Sequence, residues 1–590
     1  MHLPRPLTAA LAAGVLLAAP LASLLPADAG ESLALPPLPR ATRGPVQIAF
    51  TPDGKRALVT ESDEGTLAVF DAQSGAFQRR LPTGGKQPEA MAVTPDGLAL
   101  VANALSGSVA LLDPASGKQV ALRSLRGEPA GVAISPDGKS AYVSLPPLDQ
   151  VAVLSLPDLE VRERIGVGRR PRALALTPDG ATLLAANLQG GDVSVVDTGS
   201  LQETRRIEVT GRNLRGIAVT ADGKRAFVTG QIPGNTRVTR DPLDMWINTL
   251  FVLDLRPEAK AGSAEGWLDF AAASAPDPDG VTVLGPELVA LTLAGSDETV
   301  LVRTPGPHLR SYDPQITARR VVGARPRGIA LSPDRKQLWV ANELESTVAL
   351  LDAATLKLIR KIPLGAPERE DPRLEGRYLF GSAKLARGGQ FSCASCHPNV
   401  STDGLSWQFV HVPDRVPNRN SRALRGGVPE TSPFRWSGHE KEIEDFFQDE
   451  VVGLLGGDPQ PAPALHALRR MLEGAELPAN PYRADDDSLT PQAQRGKAIF
   501  EGKGGCSGCH SGPMHGGTGT RAWIGTTEAD RDLDVPHLRG AFDSAPYLHD
   551  GRAETLESIF QRHNGEKKHG RAHELSPAEL ADVLRYVREL

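Results

Sequence analysis

Two short runs carry the chemistry of this chain, Cys393-Ala-Ser-Cys396-His397 and Cys506-Ser-Gly-Cys509-His510. A Cys-x-x-Cys-His run is the attachment signal of a c-type haem: two thiols add across the vinyl groups and the adjoining histidine becomes the proximal ligand of the iron. The chain has four cysteines, and both pairs end in histidine. A zinc ribbon sets its pairs about 15–20 residues apart, whereas Cys393 and Cys506 are 113 apart. A thioredoxin-like redox pair needs no histidine after its second cysteine, and two structural disulfides would not repeat so tight a spacing. The spacing predicts two covalent haem c groups on Cys393, Cys396, Cys506 and Cys509, with His397 and His510 on iron.

The rest of the chain must export and position those runs. Residues 1–29 read as a cleavable signal: Arg5, an apolar run from Leu7 to Leu25, and the small-x-small site Ala27-Asp28-Ala29. No other stretch approaches the roughly 18 apolar residues of a spanning helix, so no membrane span is expected in the mature chain. In bacteria c-type attachment takes place outside the cytoplasm, which predicts a periplasmic protein. The alternative is an uncleaved N-terminal anchor facing the periplasm. A net charge of −6 with 23% charged residues argues against a nucleic-acid partner. At 590 residues several domains are expected.

Residues 30–365 repeat. A Ser/Thr-Pro-Asp-Gly turn recurs at Thr51, Thr94, Ser135 and Thr177, at spacings of 43, 41 and 42, with weaker forms at Thr220 and Ser332. Four short strands at a period near 42 mark a propeller blade. The long gap between Thr220 and Ser332 holds two blades, one marked by a degenerate turn at Ala294–Glu298, for seven in all. The blade before that one carries insertions over Gln231–Trp246 and Arg256–Gly280. The first insertion includes Arg237, Arg240, Asp241, Asp244, Met245 and Trp246, a mix suited to a contact surface. His308, the propeller's lone histidine, reads as structural. After Gly365 the period changes. Amphipathic lead-ins, Gly376-Arg-Tyr-Leu-Phe380 and Arg495-Gly-Lys-Ala-Ile-Phe500, precede the two Cys-x-x-Cys-His runs, and Thr490-Pro491 is a helix start. The expected fold is multidomain: an all-β seven-bladed propeller, then two mainly α cytochrome c-like domains over 366–480 and 481–590.

The Pro-Asp-Gly turns followed by Val-Ala-Asn (Val101–Asn103, Val340–Asn342) resemble the YVTN-type propeller repeats. Each haem unit also continues in a shared pattern: Asn420-Ser-Arg-Ala-Leu-Arg-Gly426 and Ser432-Pro-Phe-Arg-Trp-Ser-Gly438, then Val535-Pro-His-Leu-Arg-Gly540 and Ser544-Ala-Pro-Tyr-Leu-His-Asp-Gly551. These blocks resemble the bacterial di-haem cytochrome c peroxidase family. The resemblance implies that one haem meets peroxide while the other passes electrons, with Trp436 between them. It implies His411 as a displaceable sixth ligand at the first haem and Glu450 as a distal acid. The family's methionine ligand, counted twelve residues from Gly551, falls on His563, which would take its place. Met514 lies too near His510 to reach the opposite face. A calcium ion held by Asn420 and by carbonyls of Ser544 and Pro546 is implied as well. The leading expectation is therefore a peroxide-reducing oxidoreductase, fed by a periplasmic donor such as a small cytochrome or cupredoxin. The alternatives are a di-haem oxidase acting on a protein or small-molecule partner, and a non-catalytic electron carrier with the propeller as docking module.

Overall fold

Each Pro-Asp-Gly turn is closed by its own side chains. In the first, Thr51 Oγ1 donates to Asp53 Oδ1 (2.6 Å), the same carboxylate accepts from Lys55 N (3.0 Å), and Thr51 Oγ1 accepts from Arg56 N (3.1 Å). Gly54 sits at φ +69°, in the left-handed region that a side chain would strain. Those bonds hold the exposed Asp53 carboxyl below its usual range, the Thr51 hydroxyl first among them. The device recurs at Asp96, Asp137, Asp179, Asp222 and Asp334. It ties the first strand of a blade to the second.

In the computed structural model the described residues are 36–234, 245–256, 266–269, 274–304, 310–311, 316–365, 367, 369–408, 419–525 and 532–590. Strands from Pro45 to Pro363 form seven sheets, six of four strands and one of five. Neighbouring blades bury alternating faces against each other. The last blade meets the first through a shared core that includes Trp339 and Phe70, with Phe50 edge-on to Trp339 at 5.6 Å. The five-stranded blade lengthens its central hairpin, Arg225–Pro233 with Trp246–Asp254. The reversal at Ala294–Glu298 is not the equivalent of a Pro-Asp-Gly turn, contrary to the sequence expectation. It joins the second and third strands of its blade, Leu288–Leu293 and Glu298–Arg303, while the first-to-second reversal lies at Pro286-Glu287. The blade count is unchanged.

The C-terminal half holds α1 (Leu374–Gly381), α2 (Cys393–Cys396), α3 (Ile443–Asp449), α4 (Ala462–Glu473), α5 (Pro491–Glu501), α6 (Leu556–Arg562) and α7 (Pro577–Glu589). Two crossings are built alike. Gly376 of α1 lies against the Ala467 carbonyl of α4, and Gly496 of α5 against the Asp582 carbonyl of α7; a Cβ at either glycine would overlap that oxygen. Four residues on, Phe380 and Phe500 face the attachment histidines, with ring centres 6.5 Å from His397 and 6.5 Å from His510. The two lead-ins therefore share a Gly-x-x-x-Phe pattern. Glycine lets the partner helix close in, and phenylalanine packs on the histidine. None of the described helices is long and apolar enough to cross a membrane.

Candidate haem centres

The propeller itself holds the first attachment segment. Loops joining second to third strands, with the segments entering each first strand, make one face of the disc. Helix α2 docks on that face. Its capping serines, Ser392 and Ser395, donate to the two oxygens of buried Asp277 (2.6 and 2.8 Å). Its carbonyls accept from the propeller: Ser395 O from Asn213 (2.6 Å) and Ala394 O from Arg215 (3.0 Å). A one-turn helix has no stability of its own, so these bonds set the orientation of Cys393, Cys396 and His397. His397 Nδ1–H donates to Ser401 O (3.1 Å), which leaves Nε2 as the free lone pair. The cavity it faces, about 1390 Å³ of atom-free space with its mouth, is lined by both cysteines and largely by apolar side chains.

The second centre repeats the arrangement without the propeller's help. Thr490 caps α5 by accepting from Ala493 N (3.2 Å), with Pro491 in the first turn. Cys506 begins a 3₁₀ turn, and His510 Nδ1–H donates to His515 O (3.2 Å). The cavity here has about 1580 Å³ of atom-free space, its open mouth included, and is again mostly apolar. Both sites fit haem c: a greasy slot, two cysteine sulfurs on its wall, and an imidazole with one nitrogen already committed to a carbonyl. None of the four cysteines is in a disulfide. Burial pushes the Cys393 thiol up to about 12 and Cys506 up to about 11, the reverse of an activated redox thiolate.

Trp436 lines both cavities, as do His537, Asn420 and Arg422. Its Nε1 donates to Asn420 O (3.3 Å), His549 meets its ring edge-on at 6.3 Å, and the Arg422 guanidinium lies 3.8 Å over its face. The tryptophan is thus pinned between the sites on three sides. Glu450 lines the first cavity at the start of a π-helical turn (Glu450–Leu454), where Arg435 donates to it at 2.6 Å. Such turns recur at functional sites. Arg435 also donates to Glu440 at 2.7 Å, yet burial pushes that second carboxyl up to about 7.

The sixth-ligand expectations fare differently. His411 lies outside the described residues. His563 closes the C-terminal end of α6, half-buried, and is not part of the cavity wall; that expectation is corrected. The residue on that wall is His569, six positions further, with its ring centre 6.4 Å from that of His510. Met514 is buried but accepts from Arg539 at 3.7 Å and stands off the cavity. At the implied cation site Asn420 and Pro546 do meet: the Asn420 amide nitrogen donates to the Pro546 carbonyl, and its buried Oδ1 has no partner. Ser544 lines the second cavity, with its hydroxyl bonded to Gly540 O at 3.2 Å.

Sequence reasoning missed a second aromatic wall. Trp407 borders the first cavity, donates from Nε1 to Asp403 (2.9 Å) and packs on Trp246 at 5.2 Å. Trp246 opens the third strand of the inserted blade and is 1% exposed. The described end of that insertion, Met245 and Trp246, is therefore buried within the chain; Arg237, Arg240, Asp241 and Asp244 lie outside the described residues, as does His308. Charges join the three parts. Arg425 of the first haem unit pairs with propeller Glu128 (2.8 Å) and with Asp543 of the second unit (3.4 Å), which also pairs with propeller Arg170 (2.7 Å). Burial alone would raise Glu128, but Arg425 and its neighbours hold it down at about 2.

Residues 493–590 match the cytochrome c family, and residues 120–214 match the lactonase, 7-bladed beta-propeller family. Among known proteins, the chain is similar to hydrazine synthase subunit gamma of Kuenenia stuttgartiensis, 30% identical over 273 residues, covering 36% of this chain and 76% of that protein. It is 28% identical over 263 residues to methylamine utilization protein MauG of Methylorubrum extorquens, 35% of this chain and 73% of that one. Cytochrome c551 peroxidase of Nitrosomonas europaea is 25% identical over 256 residues, 34% of this chain and 75% of the peroxidase.

Proposed function

Because its C-terminal half belongs to the family of c-type oxidoreductases that includes the hydrazine synthase gamma subunit, MauG and the di-haem cytochrome c peroxidases, we propose that this chain is a periplasmic enzyme with two covalent haems that reduces hydrogen peroxide. The observation that carries the reading is Trp436, one side chain forming part of the wall of both cavities. The haems, when bound, supply the two electrons and the centre at which the oxygen–oxygen bond breaks. The chain's own residues do the rest. His397 and His510 each present one nitrogen while a backbone carbonyl fixes the other. Trp436 spans the gap between the sites. Arg435 holds the Glu450 side chain at the wall of the first cavity, where it would take a proton from one peroxide oxygen and return it to the other. Peroxide, two electrons and two protons then leave as two waters.

A small periplasmic cytochrome or cupredoxin is the donor in this reading. Residues 1–29 carry the export signal, which cell fractionation checks directly. Calcium joins the reading through Asn420, whose partnerless Oδ1 would turn to meet the Pro546 carbonyl around a hard cation. The Trp407–Trp246 contact favours a second reading, oxidation of a partner through aromatic side chains leading away from the first cavity.

Half-reduced protein mixed with peroxide should change its spectrum rapidly. His397→Ala should abolish the change, Trp436→Phe should slow it, and Glu450→Gln should lower turnover by about 10²-fold. Chelation of calcium should slow the same reaction. Wild-type protein inert to peroxide in every redox state would leave the plain electron carrier as the better reading.

A further inference from the structure

We infer that His569 is the second axial ligand of the haem attached at Cys506 and Cys509, so that this chain closes both faces of that iron with histidine. The inference rests on the two-haem reading above and concerns only how the second site is filled. A metal held between two imidazoles sets their ring centres about 6.3 Å apart, from two bonds of about 2.0–2.1 Å and roughly 1.1 Å from each nitrogen to its ring centre. The His510 and His569 ring centres are 6.4 Å apart and their planes are tilted by 33°. Both rings border one cavity. His510 has Nδ1 committed to His515 O, leaving its other nitrogen available. His569 has a buried Nδ1 with no hydrogen-bond partner. A buried polar nitrogen left so is costly unless something satisfies it.

The loop that carries His569 is fastened to the attachment segment. Asn564 Oδ1 accepts from the His569 backbone N–H at 3.1 Å, and Arg571 N donates to Gly504 O at 3.0 Å, two residues before Cys506. Phe560 packs on the His569 ring at 5.0 Å, and the Lys568 ammonium sits 3.3 Å over the Trp523 ring. The imidazole is therefore positioned by contacts on both sides in sequence. His563 has none of these features: it ends α6, half-buried and off the wall.

Two histidines give a low-spin centre closed to peroxide, and a potential below that of a histidine–methionine haem. Peroxide chemistry is then confined to the centre at His397, and the second centre relays electrons.

The test is electron paramagnetic resonance and near-infrared absorption of the oxidised, fully loaded protein, after a pyridine haemochrome assay has counted its haems. A count below two would overturn the two-haem reading and not this assignment. With two haems present, His569→Ala should convert one low-spin iron to high-spin, and added imidazole should restore it. His569→Met should instead produce the weak near-infrared band of a histidine–methionine haem. His563→Ala should leave every signal unchanged. Wild-type spectra showing that band, a His569→Ala protein with unaltered spin states, or conversion by His563→Ala would each overturn the assignment.

Discussion

Asp403 shows how strongly single residues around the first centre are constrained. Burial pushes its carboxyl up to about 7, against hydrogen bonds from Leu405 N and Trp407 that pull it down. An unfolded aspartate ionises near 3.9. Between those two values the folded chain keeps a proton that the unfolded chain has lost, so folding stability falls as pH rises from about 4 to about 7, then levels off. Asp403→Asn cannot titrate. Its denaturation midpoint should lose that part of the pH dependence even if its absolute stability is lower, since one of the two hydrogen bonds is weakened. A variant whose midpoint tracks the wild type across pH would show that Asp403 ionises normally. Such a residue is invisible in the sequence, because nothing in Thr402-Asp403-Gly404 distinguishes a buried acid from a turn. The Cys-x-x-Cys-His runs stand out in the sequence by their spacing, and the block around Trp436 marks a side chain that the structure places on the wall of both cavities. His569 was not, because a sixth ligand obeys no spacing rule. It comes from the loop that follows α6, six positions beyond His563, the residue twelve after Gly551.

At the scale of elements, the Gly-x-x-x-Phe lead-ins explain why two unlike stretches of sequence build one kind of site. The α5–α7 crossing brings Gly496 against the Asp582 carbonyl, and the core beneath it includes Phe500, Val583 and Tyr586. Gly496→Val would drive the helices apart and pull Phe500 off His510. Overpacking of this kind costs about 1–3 kcal/mol, and the same change at exposed Gln494 should cost less than about 0.7 kcal/mol, the spread of helix propensities. Urea midpoints of the two variants decide the point; equal midpoints would mean the crossing tolerates a side chain. The blades were readable for a related reason, since each of these turns uses the same closure of a Thr or Ser hydroxyl on the Asp two residues on. The sixth blade escaped that reading because its first reversal uses Gly285-Pro286-Glu287. The sequence signal at Ala294–Glu298 marked a different turn, one whose Asp297 accepts from Tyr378 of α1 at 2.7 Å.

For the whole molecule, the propeller is part of the first haem site and does more than accompany it. Its face satisfies the hydrogen bonds of a helix too short to stand alone, and its charges reach both haem units through Arg425 and Asp543. This cooperation could not be read from sequence, because it joins residues more than 100 positions apart by polar contacts that leave no periodicity. Asp277 tests it. The carboxylate is 2% exposed and takes hydrogen bonds from Ser392 and Ser395 while pairing with Arg215 at 3.4 Å. Asp277→Ala would leave a buried guanidinium and two hydroxyls without their acceptor, a loss of about 3–5 kcal/mol for a broken buried pair. Asp53→Ala removes the same side chain from an exposed turn of the disc and should cost much less, because water replaces the lost hydrogen bonds. The two differ in their reach as well as their size. Asp277→Ala should disturb the electron paramagnetic resonance signal of the haem at His397 while leaving the one at His510 intact, because the second attachment turn is braced within its own unit. Asp53→Ala should change neither signal. If both variants lost the same stability with both haem signals untouched, the propeller would be a cover resting on the haem units, and the orientation of His397 would have to come from the cytochrome fold alone.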